Sequence, residues 1–441
     1  LALLGLIVLW ERHRFVGIAD FDGVFRVTGN FSSMNNGGAY IEAFIAISFP
    51  ALVVWTLEQR QFLLRLGGVA AAAFASYAMF VTFSRGGYAG LLVGLVIVLT
   101  FFRAKERHNI RHGLWMAGLT LAAIAAATPV LLGGFAQGRL AQIERDLSIR
   151  LDHWGRALDL MEPGVLPMLT GVGFGRYPAL YLWHSDAAEP PGTFAVEHEQ
   201  DKSFLRLGAG DAYYLDQIVR IKPGETQTLQ ARIRFQGDQQ SLVIFLCEKA
   251  LLYSFRCNTH ELQRPDQSMP GEWHLITTIL NTSGLGETGR WPSPTLKLSV
   301  GLLSGNGAID IDFVSLRDGN GEEQLVNGDF EQGLDRWLSA TDRDLAWHIH
   351  QSVLEVYFAQ GLLGIVAVWL ALLAAATTLL PRMRYGEPFA VAIGAGLAGF
   401  LTVGLLGSAM DTARTSLLFY LLIFAAGNMS ECNARGHRRA D

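Results

Sequence analysis

Apolar residues gather in blocks long enough to enter a bilayer, with polar positions confined to the stretches between them. The blocks cover 37–56, 66–83, 87–102, 114–132, 352–380, 388–409 and the shorter 415–426. A spanning helix takes roughly 20 apolar residues, so these blocks predict membrane helices. The opening run, Leu1 to Trp10, is too short to cross at about 1.5 Å per residue. It reads as the tail of a longer spanning helix, since a removed signal peptide would not remain at a mature N-terminus. The expectation is about eight spans, the first truncated.

Between 134 and 351 the pattern changes twice. From 134 to 184, Arg139, Glu144, Arg145, Asp146, Arg150, Asp152 and Arg156 alternate with Leu140, Ile143, Leu147, Leu151, Trp154 and Leu158. That period predicts an amphipathic helix lying along a membrane surface. From 185 to 345 short alternating runs (203–207, 227–235, 242–246, 296–300, 309–313), separated by turn residues such as Pro270-Gly271, predict an all-β sandwich. The organisation is therefore N-terminal transmembrane helices (1–133), a helical outer segment (134–184), an inserted β domain (185–345), and a His-bearing segment with C-terminal helices (346–441). The fold class is a polytopic α-helical membrane protein with an inserted all-β, jelly-roll-like domain.

Half of the 441 residues are hydrophobic and 17% are charged, as such a protein requires. The net charge of −5 says little, but the placement of basic residues sets an orientation. Arg60 and Arg65, then Arg103, Lys105, Arg107 and Arg111, then Arg382 and Arg384, then Arg435, Arg438 and Arg439 mark alternate loops as cytoplasmic. The long 133–351 loop then faces outward, into a periplasm if the source is bacterial. Arg12, Arg14 and Arg26 in the first outer loop run against the rule. Cys432 falls on the cytoplasmic side. Cys247 and Cys257 fall outside, where a hairpin turning around Leu252 sets them opposite and predicts a disulfide.

Phosphate-binding loops, dinucleotide fingerprints, Cys/His metal spacings and nucleophile elbows are missing from the chain. His348 and His350, two apart, are not a standard metal pair, and no basic loop offers a nucleic-acid surface. What remains is a group of outer-face cations, Arg26, Arg85, Arg150 and Arg414, with His350. The stretch Trp347-His348-Ile349-His350-Gln351-Ser352 leads directly into the 352–380 block, which fixes a titratable imidazole at the membrane surface. Arginines bind diphosphate through paired N–H donors, and the diphosphate found beside a bilayer is a lipid-linked one. Asp411 and Arg414 are spaced for a local ion pair.

These residues resemble the O-antigen ligase and Wzy-type polymerase superfamily of envelope glycosyltransferases. The resemblance rests on Arg26 to Asn36 before the 37–56 helix, on Phe83-Ser84-Arg85-Gly86-Gly87, on Arg150-Leu151-Asp152-His153-Trp154 with Gly171-Val172-Gly173-Phe174-Gly175, and on His350-Gln351 through Gly361-Leu362-Leu363-Gly364. It implies metal-independent inverting transfer, without a cofactor, at the outer face of a bacterial inner membrane. The donor is an undecaprenyl-diphosphate-linked glycan, and the acceptor a glycan, lipid A core or protein. Arg85 and Arg150 would hold the diphosphate, His350 would be the base or position the acceptor hydroxyl, and Arg26 and Arg414 are further candidates for substrate binding. Two departures stand out. Gln351 replaces a commoner Asn, and the β insert splits the outer loop.

The insert resembles a carbohydrate-binding jelly roll through Leu325 to Trp337, a signature that usually opens such a module and here would close it. Trp273, Trp291 and Tyr213 or Tyr214 are its candidate sugar platforms. The alternatives are a Wzy-type polymerase and a non-catalytic membrane scaffold presenting the β domain. A transporter is disfavoured because no span shows a Gly- or Pro-broken half-helix.

Overall fold

Apolar helices and short strands segregate into two units, Leu1–Ser185 with Ala346–Asp441, and Asp186–Leu345. The structure, a computed structural model, describes the chain except residues 23–24, 32–37, 106–117, 119–120, 122–123, 126, 186–191, 201, 211–212, 223, 238–239, 251–252, 267, 287–293, 303–306, 341–347 and 438–441. Trp347, Trp291, Leu252, Asn36, Arg107, Arg111, Arg438, Arg439 and much of the 114–132 block lie outside the described residues.

The helical unit begins with α1 (Ala2–Phe15), α2 (Gly38–Glu58), α3 (Phe62–Phe80) and α4 (Arg85–Lys105). The outer segment supplies α5 (Gly134–Ala141), α6 (Ile143–Asp159), α7 (Val165–Thr170) and α8 (Tyr177–His184). After the β unit come α9 (Ser352–Arg384), α10 (Pro388–Gly404) and α11 (Ala413–His437). Among the described residues, Tyr40–Glu58, Phe62–Phe80 and Ser352–Arg384 are long and apolar enough to cross a membrane. Arg85–Phe101, Pro388–Gly404 and Ala413–Met429 are shorter apolar helices. The helix placed at 66–83 starts four residues earlier because Arg65 turns back on α2, donating to the Leu57 carbonyl at 3.2 Å and to that of Gln59.

Backbones approach closely where α2, α4 and α10 meet. A Cβ on Gly396 would lie 2.4 Å from the Ile47 carbonyl oxygen, and one on Gly90 2.6 Å from that of Gly399. Small residues at such crossings are what hold helices together without a hydrophobic driving force from lipid. Arg12, an exception to the charge rule, is fully buried. It donates to the Asp20 carbonyl and lies 5.5 Å over the Phe21 ring, so it is structural and no guide to orientation. Its neighbour Glu11 accepts from the Thr28 and Gly29 amides, both at 2.7 Å, and thereby shapes the turn that follows Arg26.

On α6, Leu147, Ile149, Leu151 and Leu158 are exposed, as an amphipathic helix resting on a bilayer requires. The opposite side joins a small core of Ala157, Tyr177, Ile349 and Phe358 with Trp154 and Leu354. Helix α9 is broken at Gly361 (φ 65°, ψ −160°). The carbonyls released there, of Phe358 and Ala359, accept from the Val172 and Gly173 amides at 2.8 and 3.0 Å. The two glycine stretches noted in the sequence are therefore one joint. The presence of this break corrects the expectation that no span is broken. Its carbonyls are nevertheless consumed inside the protein, whereas a transporter leaves such groups for its ion.

At the joint, a Cβ on Gly171 (φ 71°) would stand 2.4 Å from Ala359 C and Gln360 N. Gly171→Ala is thus expected to cost about 2–4 kcal/mol, from left-handed strain and backbone overlap together. Thermal melting in detergent checks this, and an unchanged midpoint would mean the joint is not formed.

The second unit is a sandwich of two five-stranded antiparallel sheets. Its strands are β1 (Thr193–Glu199), β2 (Lys202–Gly208), β3 (Tyr214–Val219), β4 (Gln227–Phe235), β5 (Ser241–Ala250), β6 (Tyr253–Gln263), β7 (Trp273–Leu280), β8 (Thr295–Gly301), β9 (Ala308–Arg317) and β10 (Leu338–Ala340). The sheet orders are β1-β2-β9-β4-β7 and β10-β3-β8-β5-β6. Period-2 burial in β4 turns Leu229, Ala231, Ile233 and Phe235 inward. Cys247 and Cys257 pair across β5 and β6 and form the expected disulfide, with Cα atoms 4.1 Å apart. The 325–337 signature closes the domain: Phe330 and Trp337 are buried, and the Trp337 indole donates to the Asn327 carbonyl at 2.9 Å.

Candidate functional site

Arg85 opens α4, immediately after Phe83 takes a left-handed backbone (φ 53°) and Ser84 begins the turn. Strain of this kind persists only where the surroundings enforce it. Phe83 is fixed edge-on against Phe135, ring centroids 4.7 Å apart. The Arg85 guanidinium pairs with Asp146 of α6 and also donates to the Arg139 carbonyl at 3.4 Å. Arg139 itself lies 3.7 Å from Asp146. One turn beyond Asp146, Arg150 donates to the Leu406 carbonyl after α10. Burial lowers the Arg150 pKa, and the charge of Arg85 lowers it further against the pull of Asp146. A guanidinium remains protonated through such shifts.

Arg26 donates from Nε to the Thr82 carbonyl at 3.2 Å, beside the Ser84 turn. Beneath these residues the α2 side chain Glu42, 5% exposed, feels the charges of Arg26 and Arg150 and meets the Ser84 hydroxyl.

The histidines adjoin this group. His350 takes a left-handed backbone (φ 58°), and its ring centroid lies 5.6 Å from that of His153 and 5.5 Å from that of His348. The side chain of Gln351 accepts from the Leu354 amide and caps α9. An amide oxygen is what that role needs, and Asn and Gln both carry one. His153 Nε2 donates to the His348 carbonyl at 3.0 Å, with the Tyr177 hydroxyl 3.4 Å from the same nitrogen.

His350 is exposed, yet the protein gathered around it makes loss of water the first cause lowering its pKa, to about 4. The charges of His348, His153 and Arg150 add to this, and Asp411 opposes them. His350 is therefore a neutral imidazole at physiological pH, able to accept a proton. Burial lowers the His153 pKa as well.

His348 pairs through Nδ1 with Asp411, which also accepts from the Tyr40 hydroxyl at 2.8 Å. Burial alone would raise the Asp411 pKa; the His348 hydrogen bond and charge, with the Tyr40 hydroxyl, hold it below the usual carboxylate range. Ser352 ties the start of α9 to the same loop, donating to the Gly407 carbonyl and accepting from the Ala409 amide, both at 3.0 Å.

Arg26, Arg85 and Arg150 thus share one charged neighbourhood, and Arg150 links it to His350. Arg414 goes elsewhere, donating to the Asn30 carbonyl at 2.8 Å and lying 5.6 Å over the Phe31 ring. The local Asp411–Arg414 pair is replaced by Asp411 with His348. The two residues do not share a helix, because α11 begins only at Ala413. Asp146, Glu42, His348 and Asp411 were not among the sequence candidates for the site. Glu42 carried a signal, as a lone carboxylate inside an apolar block, and Asp146 stands at the helical i−4 position to Arg150.

In the β unit, Tyr214 is buried edge-on against Phe245 at 5.4 Å and is no surface platform. Tyr213 stacks on Phe194 at 5.2 Å. Trp273 is half-buried, with the Arg234 guanidinium 4.4 Å and the Arg232 guanidinium 5.4 Å from its ring centroid.

A family model described as O-antigen ligase matches residues 70–208. The matched stretch carries Arg85, Asp146, Arg150, His153 and Tyr177 and ends before His350. No curated protein matches the chain. Among solved structures, one titled "PbXyn10C CBM APO" aligns at 17% identity over 33% of this chain and 87% of that one, with a TM-score of 0.23.

Proposed function

We propose that this chain, a membrane protein whose residues 70–208 match the O-antigen ligase family, moves a glycan from an undecaprenyl-diphosphate-linked donor to an acceptor hydroxyl at the periplasmic face of a bacterial inner membrane. The observation that carries the reading is the position of Arg150, whose charge reaches both the Arg85 group and His350. In the step proposed, the acceptor oxygen attacks the anomeric carbon while the bond to the donor's phosphate oxygen breaks, with inversion. The acceptor proton passes to neutral His350, and Arg85 and Arg150 take up the charge developing on the departing diphosphate.

Arginines here do what a divalent cation does for nucleotide-sugar enzymes. Transfer by purified protein is therefore expected to survive EDTA; a loss restored by Mg²⁺ or Mn²⁺ would overturn the clamp.

A deletion strain rescued by the full-length gene tests the function. Lipid A core lacking long chains, with polymerised donor accumulating, indicates a ligase. Accumulation of single-repeat donor indicates the Wzy-type polymerase. Unchanged surface polysaccharide would favour the scaffold reading, in which the β unit meets glycans without chemistry.

A further inference from the structure

Below the arginines lies a carboxylate that nothing in the reaction uses. Glu42 is buried in α2, and its Oε2 has no hydrogen-bond partner among the described residues. A buried carboxylate is costly unless charge or hydrogen bonds compensate it, and here the compensation comes from Arg26, Arg150 and the Ser84 hydroxyl. Space is kept for it. A Cβ on Gly87 would lie 2.7 Å from Glu42 Cβ and 3.1 Å from Oε2, and one on Gly407 would lie 3.8 Å from Oε1. The carboxylate therefore stands between the amino end of α4 and the loop after α10, the elements that carry Arg85 and the carbonyl bound by Arg150.

We propose that Glu42 is the resident counter-ion of the diphosphate site, holding Arg26 and Arg150 while the site is empty and competing with the bound anion for them. The proposal rests on the reading that these arginines bind a diphosphate. Four guanidinium groups (Arg26, Arg85, Arg139, Arg150) against two carboxylates (Asp146, Glu42) leave two positive charges. A lipid diphosphate diester brings two negative charges and balances the site. Breaking the glycosyl–phosphate bond converts the diester to a monoester, which gains a further charge. The repulsion from Glu42 then grows just when the lipid diphosphate has to leave, so Glu42 promotes product release.

Titration of the full chain in detergent with inorganic pyrophosphate, followed by calorimetry, tests the proposal. Removing one like charge a few ångströms away should tighten binding about tenfold in Glu42→Gln. Glu42→Asp, which draws the charge back by one methylene, should give a smaller rise and serves if the Gln variant does not fold. Binding equal to or weaker than wild type in the folded variant overturns the proposal. If wild type and Arg150→Ala bind pyrophosphate equally, the diphosphate reading of the arginines fails instead.

Discussion

His350→Ala is expected to lower the rate of transfer by roughly 10²–10⁴-fold, the usual worth of a positioned base, with little change in donor affinity. The pH profile separates this from a merely structural effect. His350 is held neutral well below the ordinary imidazole range, so its protonated form appears only at acid pH. In the free protein, the acid limb of kcat/KM should therefore fall clearly below 6.5. Bound diphosphate brings negative charge to Arg150 and thereby favours the imidazolium. The limb in kcat should consequently lie at higher pH than the limb in kcat/KM. His350→Ala should lose both limbs along with the rate. Equal activity of His350→Ala and wild type at matched expression would end the assignment of His350 as base.

Arg150→Ala is expected to raise the donor KM by about 10–100-fold, the loss of one or two charge-assisted hydrogen bonds. Arg150→Lys keeps the charge but loses the planar fork and should recover only part of this. Because Arg150 also binds the Leu406 carbonyl, a fall in thermal stability would accompany either change if its role were structural. A raised KM at unchanged melting temperature supports donor binding. An unchanged KM would remove Arg150 from the site. Arg85 differs in already being paired with Asp146, so the donor must compete with that carboxylate for it.

Much of this arrangement was legible because it follows local periodicity. The apolar blocks became helices, the alternating runs 227–235 and 309–313 lie within the neighbouring strands β4 and β9, and Cys247 met Cys257 across a hairpin of short sequence separation. The site was legible only in part. Arg85, Arg150 and His350 could be chosen by residue type, but their partners come from distant segments that no period encodes. Arg85 pairs with Asp146 across 61 positions, and His348 pairs with Asp411. Where spacing did suggest a partner, as for Asp411 and Arg414, the chain ends its loop between them and the suggestion fails. The role of Gln351 became visible only once the first turn of α9 was in place.

The break at Gly361 bears on how the protein meets bilayers of different thickness. Residues 362–384 alone reach about 35 Å at helical rise, enough for a hydrocarbon layer of about 30 Å. The segment before the break is not needed for crossing and is fastened instead to Val172 and Gly173. A thinner or thicker membrane can then be met by tilting the lower segment about Gly361, as hydrophobic mismatch requires. The upper segment, with Ser352 and the residues leading into it, is insulated from that tilt. Transfer should accordingly vary little across lipids of different acyl length.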